Sequence, residues 1–467
     1  MQTPIPPQNP EDVVRSIWKA GIQAVESERL VQQQLRLTPG ELCIAGKSVQ
    51  LQDFDRLIIV GGGKAGAGMV AGMQPTLESL ADLGKEITGW VNVPADCVTD
   101  NRWVTLHPGR PAGFNAPTST GMIGARKILD WVNHANDRDL VVCLLSGGGS
   151  ALLPYPIDRV TIEEKANLTQ WLGAQGATID ELNQIRQALS QIKGGGLVRK
   201  FSGLSFHSLI ISDVMSNSLE TIASGPTVAC NTDVNQAIDL LRKFDSNGNK
   251  VDSIVYEAMR SFSETGKRMS GDTRLINNTI IGDASTAVHA AATFAQKYSN
   301  EVVTHITSTS GPDIETVADQ IWLTISNQIR RSTRQGKTSP RSPGLWCSIA
   351  GCEPSIQLHS SHPGKGGRNQ HLALLILDRL RKSDLERQQQ RRFMFLSGGT
   401  DGEDGPTDAT GAIASCQQLD IARQKQLSIS EHVLNNDAYH FFQKTGGLFK
   451  TGPTHTNVGD LQVTLIS

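Results

Sequence analysis

The chain has 467 residues, 38% hydrophobic and 19% charged, with a net charge of −2. That length suffices for two or three domains with real cores, and the balanced charge argues against a dedicated nucleic-acid binder, which would carry a basic excess. No apolar run approaches the ~18 residues of a membrane helix, no signal-peptide pattern opens the chain, and seven scattered cysteines without a CxxC pair point to a reducing, cytoplasmic setting.

The first predicted element is a helix over 11–35, where Val13, Val14, Ile17, Trp18, Ile22 and Val25 recur near the helical period. A pattern then repeats: a short apolar run ends in a Gly/Ser-rich turn, usually followed by a helical stretch. It occurs as "RLIIVGGGKAGAGM" (56–69), "LVVCLLSGGGSALL" (140–153), "SLIISDV" (208–214) and "RFMFLSGGTDG" (392–402). Continuous apolar strands of this kind suit parallel sheets buried on both faces, so the fold class is α/β, with ligands expected where strand carboxyl ends open into loops. The polar stretch that follows an amphipathic segment within 227–250 suggests a division near residue 240, giving domains 1–240 and 241–467. Residues 331–344 read as a surface loop, and the basic clusters at 331–341 and 387–392 as solvated surface.

Five segments can carry chemistry. "GGGKAGAGM" matches a dinucleotide fingerprint at Gly61, Gly63 and Gly66, but Lys64 interrupts the turn and no acid ends the next strand, where a ribose ligand would be expected about twenty residues on. What remains is a glycine turn, Gly61–Gly62–Gly63, presenting one cation at a helix start, a good place for an anion. "LLSGGGSALL" places Ser146 and Ser150 around Gly147, Gly148 and Gly149, a candidate backbone nest for phosphate. Asp213 stands at a strand end with Asn217 following; a carboxylate there can act as base or ligand. In "GKGGRNQHLAL", Arg368 and Asn369 open an apolar helix, and an arginine at that end makes sense beside an anion. Asp401, Glu403, Asp404 and Asp408 crowd a glycine-rich loop after a strand, and Asn457 and Asp460 flank a turn before the closing strand. Cations, glycine nests and carboxylates together suit phosphoryl transfer, which needs positive charge around the transferred group and Mg²⁺ held by acids.

These motifs, in this order, resemble the glycerate 2-kinases whose C-terminal half is the MOFRL domain. The matching stretches are "VGGGKAGAGM", "LLSGGGSALLP", "ELNQIRQALSQIKGGGL", "ISDV…IASGPT", "GKGGRNQHLAL", "LSGGTDGEDGPTDATGA" and "TGPTHTNVGDL", which span 60–461. The resemblance implies a Rossmann-like α/β/α N-terminal domain, a second α/β domain and an interdomain cleft. It implies transfer of the γ-phosphoryl of ATP, with Mg²⁺, to the 2-hydroxyl of D-glycerate, giving 2-phosphoglycerate. Lys64 and Arg368 are then the key polar residues, and Asp213 or Asp401 is the candidate base. Ser146, Gly147–Ser150, Asn217, Asn369 and Asn457 would line the nucleotide, and Asp401, Asp404 and Asp408 would hold the metal or face the cations. The resemblance leaves room for a homodimer. Two other readings are an NAD(P)H-dependent hydroxypyruvate reductase and a catalytically impaired binding homologue. The second is motivated by departures from the family pattern, Gly196 where arginine is usual and His455 and Gly459 in the closing turn; His371 also stands where an acid is usual.

Overall fold

Two units, built from interleaved parts of the chain, organise the molecule. The computed structural model describes residues 9–114, 116–228, 233–266, 273–307, 311–335, 345–357 and 363–467. One unit is Ser27–Ile281; the other joins Met1–Glu26 to Gly282–Ser467. The division therefore falls at 281/282 instead of near 240, and the single helix expected over 11–35 is two. Helix α1 (Pro10–Ala24), with Pro10 at its first position and Asn9 capping it, ends before the chain changes units; α2 (Ser27–Gln34) follows. Val14, Ile17 and Trp18 of α1 pack with Val288, Ile349 and Val463 of the C-terminal half.

In Ser27–Ile281, a small antiparallel sheet comes first: β1 (Leu35–Thr38), β2 (Glu41–Ile44) and β3 (Lys47–Gln50). The main sheet is β4 (Arg56–Gly62), β5 (Glu86–Pro94), β6 (Val104–Arg110), β7 (Asp139–Leu145), β8 (Ser205–Ile211) and β9 (Ile276–Gly282). Helices α3 (Gly66–Asp82), α4 (Ser119–Asn133), α5 (Gly149–Leu152), α6 (Ile162–Ala174), α7 (Ile179–Ala188), α8 (Val234–Phe244) and α9 (Ser253–Gly266) complete the unit. The strand order is β6-β5-β4-β7-β8-β9, and β4 pairs in parallel with both β5 and β7. The chain runs outward from β4 through β5 to β6 and then returns to β7, so the topological switch point lies between the ends of β4 and β7. In an open α/β sheet that is where ligands bind.

The expected boundary region turns out to belong to this unit's packing. Ala237, Ile238 and Leu241 of α8 and Val255 and Met259 of α9 share a core with Leu172, Ile185 and Leu189. The polar stretch between the two helices is a turn wound on one buried carboxylate, Asp245, which accepts the N–H groups of Asn249, Lys250 and Val251.

In the other unit, α1 is joined by α10 (Ala284–Ala295), α11 (Ile314–Gln335) and α12 (Arg368–Lys382), with shorter helices beyond. Its strands are β10 (Ser299–Ile306), β11 (Leu345–Cys352), β12 (Phe393–Gly399), β13 (Gly411–Ser415), β14 (Leu448–Phe449) and β15 (Asp460–Ile466), in the order β10-β11-β15-β12-β13-β14. Only β10 and β11 are parallel; β12, expected to feed a parallel sheet, pairs antiparallel with both neighbours. The acidic loop thus links two adjacent antiparallel strands. α12 buries Leu372, Leu375 and Ile376 against Phe393, Phe395, Ala414 and Ile466. Residues 336–344, most of the expected surface loop, lie outside the described residues, while 331–335 end α11. Among the described residues no helix is long and apolar enough to cross a membrane.

Gly61 marks how tightly β4 meets β7: a Cβ there would lie 2.0 Å from the Leu144 carbonyl oxygen. Gly61→Ala is expected to destabilise the protein by about 1–3 kcal/mol through overpacking. Gly173→Ala, in open space on α6, should instead stabilise it by about 0.5–1 kcal/mol. Denaturant midpoints of the two variants check both.

Candidate active site

The two switch-point turns of Ser27–Ile281 are bonded to each other. Lys64 N–H donates to the Gly147 carbonyl at 2.8 Å, and Ala65 N–H to Ser146 Oγ at 3.0 Å. Gly63 is required by the same approach, since a Cβ there would lie 2.0 Å from Ser146 Oγ. The Lys64 side chain lies along Gly148, which takes a left-handed φ of 78° and whose Cβ would come 3.2 Å from Lys64 Cγ. Ser146 is buried and serves the turn's own structure.

Ser150 leads to a further cation. Lys193 Nζ donates to Ser150 Oγ at 2.5 Å, and Ser224 Oγ lies 3.4 Å from the same oxygen. The loop after Lys193 is fastened by Gly194 N–H to the Ser224 carbonyl and by Gly195 N–H to that of Gly225. Ala223, Ser224 and Gly225 are all left-handed, with φ of 50°, 63° and 65°. For the two non-glycine residues that conformation costs about 1–3 kcal/mol each, a strain that clusters at functional sites. Burial, with Arg186 adding to it, pushes the Lys193 amine down to about 7. Asp213 and Asn217 lie on the loop leaving β8, the strand next to β7, and Asn217 is left-handed with φ 53°. The structure therefore gathers Lys64 and residues 146–150 around one sheet end and adds Lys193 and Ser224. Sequence reading passed over Lys193 as a site residue, although "IKGGG" repeats the glycine-plus-lysine signature of "GGGK". The loop also accounts for Gly196: a Cβ there would meet the Gln191 carbonyl oxygen at 2.2 Å, so no side chain fits this conformation.

In the other unit the expected residues separate. Arg368, first residue of α12, forms a bidentate pair with Asp460 (Nε–Oδ2 2.6 Å, Nη2–Oδ1 2.9 Å) and places Nη1 2.7 Å from Glu353 Oε1. Burial opposes its charge, but Asp460 and Glu353 outweigh that and hold its pKa above the ordinary arginine range. Asp404 caps the same helix: Oδ1 accepts Asn369 N–H at 2.9 Å and Oδ2 accepts Gln370 N–H at 2.8 Å. Burial pushes its carboxyl up to about 7 against those two bonds. Asp401 accepts Glu403 N–H at 3.0 Å, whereas Asp408 takes the Tyr439 hydroxyl at 2.7 Å and Lys450 Nζ at 2.6 Å.

The three acids thus point to three different partners. Among the described residues no group of three or more His, Cys, Asp or Glu could hold a metal ion. The expected Asp401–Asp404–Asp408 metal set does not form a three-acid cluster among the described residues: Asp404 is bonded to the α12 amides and Asp408 to Tyr439 and Lys450. Asn369, expected at a nucleotide, is buried and its Oδ1 accepts from Ser397 Oγ at 2.6 Å. Asn457, also buried, accepts Gly459 N–H within its turn at 3.3 Å. His455 and Gly459, both departures from the family pattern, are left-handed with φ of 58° and 89°.

A parallel sheet with glycine turns and cations at its switch point is the frame of an anion-handling α/β enzyme. Residues 13–260 match the profile of a domain of unknown function, DUF4147, and residues 346–460 match the MOFRL family. The chain is 34% identical to glycerate kinase of Rattus norvegicus, over 96% of this chain and 92% of that protein. It is 28% identical to glycerate 2-kinase of Pyrococcus horikoshii, over 96% of this chain and 95% of that one. The crystal structure of glycerate kinase from Thermotoga maritima superposes with a TM-score of 0.75 at 28% identity, covering 99% of this chain and all of that one. The chain belongs to the glycerate kinase family built from these two domains.

Between about pH 4 and 7 the folded protein holds a proton on Asp404 that the unfolded chain has released, so this group's contribution to stability falls as pH rises through that window. Asp404→Asn removes the titration. Its melting temperature relative to the parent protein is expected to improve from pH 5 to pH 8, which parallel thermal melts would show.

Proposed function

We propose that the protein phosphorylates D-glycerate at its 2-hydroxyl, taking the γ-phosphoryl from Mg·ATP and releasing 2-phosphoglycerate and ADP. Family membership across both units supports the reaction class. The observation that carries the reading to particular atoms is the switch-point cluster, where Lys64 lies on the 147–149 turn and Lys193 is bonded to Ser150 beside it. In the transfer, the 2-hydroxyl oxygen attacks the γ-phosphorus in line, and the bond to the β–γ bridging oxygen breaks with its electron pair leaving on ADP. Lys64 offsets the charge on the transferred group, and the 147–150 turn supplies backbone N–H groups to the phosphates. Mg²⁺ enters as part of the nucleotide substrate.

Asp213 takes the hydroxyl proton; Asp401 is the alternative base, its Oδ1 already accepting an amide N–H. Arg368 keeps its two bonds to Asp460 and offers Nη1, now facing the half-exposed Glu353, to an oxyanion of the substrate. A cytoplasmic location belongs to the same proposal, in keeping with six free cysteines among the described residues.

The reductase alternative rests on the glycine fingerprint, and packing accounts for those glycines. Gly61 faces the Leu144 carbonyl, Gly63 faces Ser146, and Gly66 would meet Val91 and Val93. The test is a coupled assay that measures ADP with D-glycerate and Mg·ATP, repeated with hydroxypyruvate and NADH. ADP release is expected; NADH oxidation without it would overturn the proposal. Lys64→Ala is expected to lower kcat/KM by about 10²–10³, on the scale of one lost charge-stabilising donor. Near-parental turnover would remove Lys64 from the mechanism.

A further inference from the structure

Beside Ser150 the Ser27–Ile281 unit holds a cavity of about 440 Å³, within the size range of small-molecule sites. Its lining includes Ser150, Lys165, Thr169, Gln170, Arg186 and Lys193, with apolar residues and a glycine for the rest and no Asp or Glu. Lys165 Nζ is held by the carbonyls of Arg186 at 3.0 Å and Leu189 at 2.8 Å, in the last turn of α7 and just beyond it. Lys193, only 5% exposed, reaches Ser150 Oγ. No ion pair is formed by Lys165, Arg186 or Lys193 among the described residues. Burial lowers the pKa of all three. Lys193 is buried while Lys165 and Arg186 are partly buried, and three basic side chains on one cavity wall without an acid favour the entry of a negative group. Ser150 Oγ accepts from Lys193 and lies 3.4 Å from Ser224 Oγ, which puts a hydroxyl at the cavity wall beside the amine.

We infer that this cavity is an oxyanion subsite, in which Lys193, Arg186 and Ser150 hold the carboxylate or phosphate group of a reactant. The inference rests on the kinase reading for the identity of that reactant. The carboxylate of the hydroxy acid and the phosphates of the nucleotide share this chemistry, so titrations must tell them apart.

Calorimetric binding of D-glycerate, 2-phosphoglycerate, ADP and inorganic phosphate is measured for the parent protein, Lys193→Met and Arg186→Met. The expected result is a rise in Kd of about tenfold or more in both variants for the ligand whose oxyanion sits here, the scale of one lost charge-assisted hydrogen bond. A shift for D-glycerate assigns its carboxylate to the cavity; a shift for ADP assigns a nucleotide phosphate. Should either methionine variant fail to fold, Gln170→Glu, on the exposed side of α6, puts a negative charge at the cavity wall and should weaken the same ligand. Unchanged Kd values in all variants would overturn the inference, as would a parent protein that binds none of the four. Parent turnover of D-glycerate, measured separately, keeps the two readings distinct. Activity with unaltered binding in the variants sinks only the subsite. Lost phosphate binding in the variants, with no parent glycerate phosphorylation, sinks only the glycerate kinase reading.

Discussion

The contact on which the Ser27–Ile281 unit's chemistry depends is the side-by-side approach of the β4 and β7 ends. Glycine at 61 and 63 lets one backbone come within contact of the other, and the Lys64 and Ala65 amides then tie the two turns together. Everything next to that junction inherits its position. Lys64 is laid along Gly148, Gly149 closes on Ala223, and Ser150 is delivered to Lys193. A side chain larger than hydrogen at either glycine would move a cation as well as a strand.

The other unit uses its polar residues differently. Arg368, Asn369 and Gln370 open α12, and nearly all their polar groups are spent on fastening that helix to the sheet. Asp404 satisfies two of the amides left open at the helix start, and Asp460, the first residue of β15 and 1% exposed, is neutralised by Arg368. A buried carboxylate of this kind is strongly destabilising if its partner is removed, by about 3–5 kcal/mol at full burial and less here, where Arg368 is one-third exposed. Loss of Arg368 would therefore mix structural and chemical effects, and only a variant that keeps the Asp460 pair separates them.

Fold class was legible because it is written locally. Four apolar runs ending in Gly/Ser-rich turns became β4, β7, β8 and β12. Domain membership was not legible in the same way. Residues 11–35 carry one helical period throughout, yet α1 and α2 serve different cores, and periodicity records which residues are apolar without recording what they face. The acidic loop misled for a related reason. Three carboxylates within eight residues look like a cluster, but Asp401, Asp404 and Asp408 are each bonded to a different partner.

By itself the sequence determined the strand-turn pattern, the glycines that such turns require, the family and the presence of Lys64 and Arg368 at strand and helix ends. Those follow from composition and spacing over a few residues, where sterics and backbone freedom act directly. Only the tertiary structure decided that Lys193, more than forty positions from Ser150, bonds to it, that Asp404 is a helix cap, and that three cations share one acid-free cavity. Burial and charge pairing act through space between segments remote in the chain, and no local pattern encodes which of them will meet.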